Sequence, residues 1–176
     1  MAQPNNFGFG EEAALLKESA RKFFADNMPT DRLHAMVAAD PTPEKKSECH
    51  WDAELWQKMV DLGWSMLAEP EASGGVGLPV VAVAGLVEEL GRAAFPCRLL
   101  STLNSTYALA DSGAACEAEL VEIAAGGTAT LAVTGADGSW EAGATDVTAR
   151  AGRLSGTAYF VQEARKVDRL LVSART

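Results

Sequence analysis

The sequence predicts an α+β protein in which an N-terminal all-helical domain, residues 1–125, precedes an incomplete antiparallel β region, residues 126–176. First, apolar residues recur at steps of three and four along the first two-thirds of the chain, which is the spacing of amphipathic helices. Second, short β-branched segments follow Gly126, and third, helix-like and strand-like segments do not alternate. The 176 residues, 48% of them hydrophobic, are enough to form a packed core.

Six helices are predicted from this periodicity, and several have the signals expected at helix ends. Glu11 and Glu12 suit the positive N-terminal end of the first helix. Pro79 and Gly91 would begin and end the fourth. The apolar residues of the fourth helix cover nearly every side, so we expect it to be the most buried. The predicted ranges are 11–27, 30–39, 52–62, 79–90, 99–111 and 114–125.

The segment GWSMLAEPEASGGVGLP lies between the third and fourth helices. Its four glycines and two prolines predict an ordered loop rather than a regular element. Beyond Gly126, TATLAVT and RLLVSA predict two strands, and DVTARAGRLSGTAYFV predicts two more, joined near Arg150-Ala151-Gly152. Such a small sheet with a free apolar edge is a poor independent structure. We therefore expect a truncated β region, either in an N-terminal fragment or in a chain that a partner completes.

The composition excludes several classes of partner. Twenty-four acidic residues against fifteen Lys and Arg give a formal charge of −9, which disfavours nucleic-acid binding because that binding depends on phosphate neutralisation. The start of the chain does not have the pattern of a secretory signal, and its most apolar run is too short to span a membrane. Three cysteines at unrelated spacings fit a reducing compartment. The sequence therefore predicts a cytoplasmic protein without a membrane partner.

The titratable residues do not form a recognisable catalytic set. The two histidines are far apart and no cysteine pair has zinc spacing, so no metal site is expected. Glu88 and Glu89 are consecutive on a predicted helix and face different directions, which argues against a carboxylate dyad. We expect one of them to reach solvent and the other to cap the helix or to pair with a nearby arginine such as Arg92.

Four short motifs succeed one another in the middle of the chain. They are Gly63-Trp64, Pro70-Glu71, Gly74-Gly75 with Gly77, and the run from Glu88 to Arg92. In this order and at this spacing they closely resemble the N-terminal helical domain of acyl-CoA dehydrogenases. The segments TLAVTGADGSW and RLSGTAYFVQEARKVDRLLVSART likewise resemble the opening strands of that family's middle β domain. The resemblance covers nearly the whole chain and explains the incomplete sheet.

The resemblance implies FAD as the cofactor and points to four residues that would contact it. In the family, a Thr-Glu-Pro segment and a Trp-Ile-Thr segment of the β domain touch the flavin. Val133 and Thr134 align with the first segment, in which Gly135-Ala136 replaces Glu-Pro. Phe160 and Gln162 align with the second, where Phe replaces Trp and Gln replaces Thr. Phe160 would then stack on the ring, and the Gln162 amide would donate a hydrogen bond to the flavin N5 or O4.

The resemblance also implies an activity for the full-length protein. Such an enzyme would perform α,β-dehydrogenation of an acyl-CoA substrate, pass electrons to an electron-transfer flavoprotein or another acceptor, and form a homo- or hetero-oligomer. The family's catalytic base is a Glu in a C-terminal helical domain that would lie beyond Thr176, so no catalytic residue is assigned here. We expect this chain alone to be inactive and to bind FAD weakly or not at all.

Two alternatives remain open. The chain could be a flavin-poor subunit of a heteromeric acyl-CoA dehydrogenase, which would fit the departures at Gly135 and Gln162. It could also be a helical interaction module without chemistry. Yellow colour from bound flavin separates the enzyme from the module, and co-purification of an unequal partner identifies the heteromer.

Overall fold

The computed structural model describes residues 8–38, 52–71, 74–112, 116–141 and 143–176. Their architecture is mixed α+β, with helices preceding short strands, which confirms the predicted fold class. The helices are α1 (Glu11–Asn27), α2 (Thr30–Ala38), α3 (Ala53–Asp61), α4 (Val80–Arg92), α5 (Leu99–Asp111) and α6 (Glu117–Ala124). The strands are β1 (Ala129–Ala132), β2 (Thr148–Arg150), β3 (Arg153–Ser155) and β4 (Arg169–Val172). None of the described helices is long and apolar enough to cross a membrane.

Most helix boundaries agree with the periodicity, and α1 and α5 have the predicted bounds. The exception is the end of α4, which continues through Gly91 to Arg92. The left-handed residue that follows is Ala94, with φ of 48°, rather than the glycine. A glycine near a helix end is therefore tolerated here within the last turn, and it does not terminate the helix. The predicted ends at residues 39 and 114 lie outside the described residues.

The described residues form two compact units. The first, which we call the helical unit, lies within Met1–Gly63 and Leu67–Cys97 and contains α1 to α4. The second, the mixed unit, lies within Trp64–Met66 and Arg98–Thr176 and contains α5, α6 and the four strands. The predicted domain boundary near Gly126 corresponds to the change from helix to strand between α6 and β1. As a division into domains it stays a prediction.

The helical unit is built on the packing of α1 against α4. A Cβ atom on Gly85 would lie 2.9 Å from the ring of Phe9 and 3.5 Å from Cβ of Lys17, so a side chain at this position would not fit. One face of α4 is buried, including Val83 and Leu86, but Val80 is 65% exposed. The prediction that α4 is the most buried helix is therefore wrong. With the same length, α5 buries seven residues against six in α4.

The loop before α4 is ordered by its own backbone. Gly77 N donates to Glu69 O at 2.7 Å, and Leu78 N donates to Leu67 O at 2.9 Å. A Cβ on Gly75 would lie 2.1 Å from Glu69 O, so the turn closes only with glycine there. These contacts support the predicted ordered loop.

The mixed unit contains two separate strand pairs. β2 and β3 form the antiparallel hairpin that the sequence predicts, with Ala151 and Gly152 both at positive φ, as in a type I′ turn. β1 and β4, in contrast, pair in parallel. Because they are distant in sequence and joined by a long crossover, their direction is not set by a hairpin turn. The antiparallel description therefore holds for one pair and not for the other.

Candidate functional site

A cavity of about 150 Å³ opens in the mixed unit beside α5 and β1. It is lined by Leu100, Ser101, Asn104, Thr130, Leu131, Thr134, Trp140, Phe160 and Gln162. Three of the four predicted cofactor contacts, Thr134, Phe160 and Gln162, thus lie around one cavity. Val133 does not line it. The role of Val133 as a flavin contact stays a prediction.

A short backbone bridge brings the two predicted segments together. Tyr159 N donates to Thr134 O at 3.0 Å, and the two residues form an isolated antiparallel bridge. Thr134 lies two residues beyond β1, and Phe160 follows Tyr159. The segments carrying Thr134 and Phe160 are therefore held side by side although they are distant in sequence.

The start of β1 is fixed by Asp168. Its Oδ2 accepts hydrogen bonds from Thr128 N at 2.9 Å and from Thr128 Oγ1 at 2.7 Å. The side-chain hydrogen bond from Thr128 is the main reason why the pKa of Asp168 lies below its ordinary value. In return, Asp168 N and Arg169 N donate to Thr128 O. This exchange sets the β1–β4 register and, with it, the position of the cavity wall.

Small hydroxyl side chains let α5 approach β1 closely. Ser101, Ser105 and Thr106 are buried, and each donates its hydroxyl to a carbonyl in the preceding turn. Thr102 Oγ1 accepts a hydrogen bond from Ala129 N at 3.3 Å, which joins the helix directly to the strand. Hydrogen bonds thus help to hold α5 against β1 on this side of the cavity.

The loop after Thr134 explains one departure from the family pattern. A Cβ on Gly135 would lie 2.4 Å from Ala144 O, so the glutamate that the family has at this position would not fit. The loop is held by Ala136 N, which donates to Asp146 Oδ2 at 2.9 Å, and by a turn in which Gly138 N donates to Gly135 O. It ends by presenting Trp140 at the cavity.

Sequence reasoning did not identify Trp140 or the α5 residues of the cavity. The resemblance assigned flavin contacts only within two short segments, and neither of them includes Trp140, although the matched stretch TLAVTGADGSW ends at this residue. A lone tryptophan in the polar stretch GADGSWEAGA was the available signal, because a large aromatic residue in a surface loop often marks a binding surface. Leu100 and Asn104 lie on a helix whose periodicity indicates packing alone.

The lining residues suit an uncharged planar ligand. None of the nine is ionisable, and together they offer two aromatic rings, the amides of Asn104 and Gln162, and several hydroxyls. The isoalloxazine of FAD is a flat ring with hydrogen-bonding atoms along one edge, so this set of groups fits it. The volume is below the roughly 300–1,000 Å³ of a typical ligand site, so these residues form one wall rather than an enclosure.

The adjacent acidic pair in the helical unit has the structural role that the sequence suggests. Glu88 is exposed and pairs with Lys17 Nζ at 2.6 Å. Glu89 is fully buried and accepts hydrogen bonds from Arg21 Nη2 at 3.0 Å and Arg92 Nε at 2.5 Å. The hydrogen bond from Arg21 is the largest cause that lowers the pKa of Glu89 to about 2, against the opposing effect of burial. Glu89 therefore stays ionised and ties α1 to α4.

Across the described ranges, no three His, Cys, Asp or Glu residues could together hold a metal ion.

Known proteins resemble this chain in sequence. An acyl-CoA dehydrogenase named IpdE2 from Mycobacterium tuberculosis is 30% identical over 117 residues, which cover 66% of this chain and 34% of that protein. Its namesake from Mycolicibacterium smegmatis is 30% identical over 104 residues, covering 58% of this chain and 31% of that protein. The chain thus spans about a third of the length of these curated relatives.

Solved structures show the same fold. The steroid acyl-CoA dehydrogenase Tcur3481-Tcur3483, solved as a G363A variant, is 31% identical with a TM-score of 0.72, over 94% of this chain and 45% of that chain. The ChsE4-ChsE5 complex from Mycobacterium tuberculosis has a TM-score of 0.73 at 22% identity, over 94% of this chain and 44% of that chain, and shows the fold alone.

The matched region of the sequence decides the family. Residues 10–115, more than half of the chain, match the family model described as acyl-CoA dehydrogenase, N-terminal domain. They include all four motifs on which the resemblance rested. This chain belongs to the acyl-CoA dehydrogenase family.

Proposed function

We propose that this chain is the N-terminal part of an FAD-dependent acyl-CoA dehydrogenase, with residues 1–125 as its helical domain and residues 126–176 as the start of its middle β domain. The whole enzyme would oxidise an acyl-CoA thioester between its α and β carbons. The observation that carries the proposal is the cavity of the mixed unit, which gathers Thr134, Phe160 and Gln162 from two stretches that align with the family's flavin-contacting segments.

Each of these residues has a physical role toward a bound flavin. The Phe160 ring offers an aromatic surface for stacking, and the Gln162 amide donates to an acceptor on the ring edge. Thr134 adds a hydroxyl beside them. When bound, the flavin supplies hydride acceptance, and this chain contributes binding and orientation of its ring.

The cavity does not supply acid–base catalysis. None of its lining residues is ionisable, so none is placed to take the α-proton of a substrate. General-base catalysis typically contributes about 10²–10⁴-fold to such a step. The groups that complete the reaction, including the catalytic base and the contacts to an electron-transfer flavoprotein or other acceptor, belong to parts of the enzyme other than the described residues. This chain alone is therefore inactive.

The test is to add FAD, a series of acyl-CoA thioesters and an artificial electron acceptor to the purified 176-residue chain. We expect FAD binding to be weak or absent, without saturation at low micromolar concentration, and we expect no turnover. Substrate-dependent bleaching of the flavin would contradict the proposal that this chain lacks the catalytic base. Saturable FAD binding at low micromolar concentration would contradict the proposal that this chain forms only one wall of the flavin site.

A second candidate is a subunit of a heteromeric acyl-CoA dehydrogenase that acts on a steroid thioester. It is favoured by Gly135, where the structure leaves no room for the family's glutamate, and by the 31%-identical steroid enzyme, which carries two component names. Affinity-tagged chain would be isolated from its host, followed by size-exclusion chromatography and intact-mass analysis. A stoichiometric partner of different mass supports the heteromer, and homo-oligomers alone contradict it.

A further inference from the structure

We propose that Trp140 and Phe160 together form the aromatic surface that receives the flavin ring, and that this surface binds the ring without binding the phosphates of FAD. The inference rests on the proposed function. It adds Trp140, which the resemblance did not assign as a flavin contact, and it limits the ligand at this cavity to an uncharged planar ring.

The first argument is exposure. Trp140 is 75% exposed and Phe160 is 74% exposed, the two highest values among the large apolar side chains that the structure describes. Single exposed apolar residues are common on protein surfaces. These two, however, line the same cavity, together with the partly exposed Leu100. Several exposed apolar side chains around one concavity are typical of a binding site.

The second argument is the backbone that holds the two rings. Phe160 has φ of 54°, a left-handed conformation that is unfavourable for an aromatic residue. Strain of this kind persists only where the surroundings enforce it, and it is concentrated at functional sites. The turn that leads to Trp140 lies beside the Phe160 ring, since a Cβ on Gly138 would be 3.9 Å from Phe160 Cε2. The two loops thus present both rings at one place.

The third argument concerns charge. Phosphate groups are bound most strongly by Arg and Lys side chains, and no Arg or Lys lines this cavity. The first turn of α5 contributes Leu100 and Ser101 to the lining, but the Ser101 hydroxyl already donates to Arg98 O. Stacking on aromatic rings and donation from neutral amides suit an uncharged ring instead. The ring is therefore the part of the cofactor that this surface recognises, and riboflavin contains all of it.

The experiment titrates the full chain into riboflavin, FMN or FAD and follows flavin fluorescence polarisation, with ADP as a competitor. The indole N–H resonances in a ¹H–¹⁵N NMR spectrum provide a second readout that remains sensitive when binding is weak. The resonance of Trp140 is assigned from its loss in Trp140→Phe. Val121→Ala serves as a matched control, because Val121 is also an exposed residue of the mixed unit and does not line the cavity.

We expect the Trp140 resonance to shift with all three flavins, and the affinities for them to agree within about threefold. Trp140→Ala should weaken riboflavin binding about tenfold, whereas Trp140→Phe should retain it within about threefold. ADP should not compete, and Val121→Ala should bind as the unmodified chain does.

Three results would overturn the inference and can be told apart. If Trp140→Ala binds riboflavin as tightly as the unmodified chain, Trp140 has no role while the flavin cavity stands. If FAD binds more than about tenfold tighter than riboflavin and ADP competes, the phosphates are recognised here. If no flavin shifts the Trp140 resonance or changes polarisation, the inference falls, whereas the proposed function, which allows this chain alone to bind no FAD, stands.

Discussion

In the helical unit the buried carboxylate of Glu89 is enclosed by Arg21 and Arg92, whereas in the mixed unit the rings of Trp140 and Phe160 stand in solvent. The helical unit also exposes apolar residues, namely Leu15, Leu62, Val76 and Val80. The mixed unit exposes them around concavities, including a second one of about 470 Å³ lined by residues such as Leu154 and Leu170. The contrast teaches that the helical unit pairs the buried carboxylate of Glu89 internally, whereas the mixed unit exposes apolar surface that a bound ligand would cover and thereby stabilise.

The largest expected effect tests how closely the helical unit is packed. Val83 on α4 is 4% exposed, so Val83→Asp places an unpaired charge in the core and should lower the free energy of unfolding by about 3–5 kcal/mol. Val80→Asp, on the exposed side of the same helix near its N-terminus, should change it by less than about 0.5 kcal/mol. Urea unfolding followed by circular dichroism measures both. Equal midpoints for the two variants would contradict a closed core.

The next effect concerns the enclosed carboxylate. Glu89→Ala removes the acceptor shared by Arg21 and Arg92 and should cost about 2–4 kcal/mol, somewhat less than a fully buried pair because both arginines are half exposed. Glu88→Ala is the matched control on the adjacent residue. Its ion pair with Lys17 is at the surface, so its loss should cost no more than about 0.5 kcal/mol. If both variants lower the free energy of unfolding by similar amounts, the buried carboxylate of Glu89 contributes no more than the surface ion pair of Glu88.

The same carboxylate predicts a pH dependence. The pKa of Glu89 is lowered from 4.5 to about 2, so the folded state binds this proton more weakly than the unfolded state. Its contribution to stability is therefore complete above pH 4.5 and is lost as the pH falls toward 2. Unfolding midpoints measured across this window should fall more steeply for the unmodified chain than for Glu89→Gln. Parallel curves would show that Glu89 is not the responsible group.

A smaller effect is expected in the loop of the mixed unit. Gly135→Ala places a Cβ 2.4 Å from Ala144 O, which forces the backbone to move and should cost about 1–3 kcal/mol. Gly143→Ala is the control, because a Cβ there meets no atom within 4 Å. That variant should be neutral or stabilising by about 0.4–1 kcal/mol. Thermal unfolding distinguishes the two, and a stable Gly135→Ala chain would mean that the loop is not closed as described.

The smallest effect has the opposite sign. Phe160→Gly relieves the left-handed backbone and removes a mostly exposed ring, so it should raise the free energy of unfolding by about 0.5–1 kcal/mol. Tyr159→Gly, at the neighbouring bridge residue with ordinary backbone, should lower it. If Phe160→Gly raises the free energy of unfolding and also weakens riboflavin binding, the strained residue at position 160 lowers stability in favour of binding. A loss would show that the Phe160 ring stabilises the fold.

Local patterns predicted most of the helices, because helix bounds depend on neighbouring residues. The 3.6-residue period of apolar residues was enough to predict α5 from Leu99 to Asp111. At the end of α4, the left-handed backbone conformation occurs at Ala94, a residue type that rarely adopts it, so the sequence did not predict it. The parallel β1–β4 pairing could not be predicted, since hydrogen bonding between distant strands leaves no mark on local sequence.

The residues of the candidate site also separate into those that the sequence could predict and those that depend on tertiary contacts. Thr134, Phe160 and Gln162 could be named because they fall in segments that align with known motifs. Trp140 and Asn104 could not, because their place at the cavity follows from how a loop and a helix meet the strand. Gly135 was recognised only as a departure from the family. The carbonyl of Ala144, which makes glycine necessary there, is a tertiary contact.

The parallel pairing of β1 with β4 has a consequence for the order of folding during translation. Ala129 pairs with Arg169, forty residues later in the chain, so β1 emerges from the ribosome before its partner does. In that interval its earliest available neighbour is α5, whose Thr102 already offers an acceptor to Ala129 N. Long-range pairings form late because the loop must close first. We therefore expect the helices to form first, and β1 to contact α5 before β4 is available to pair with it.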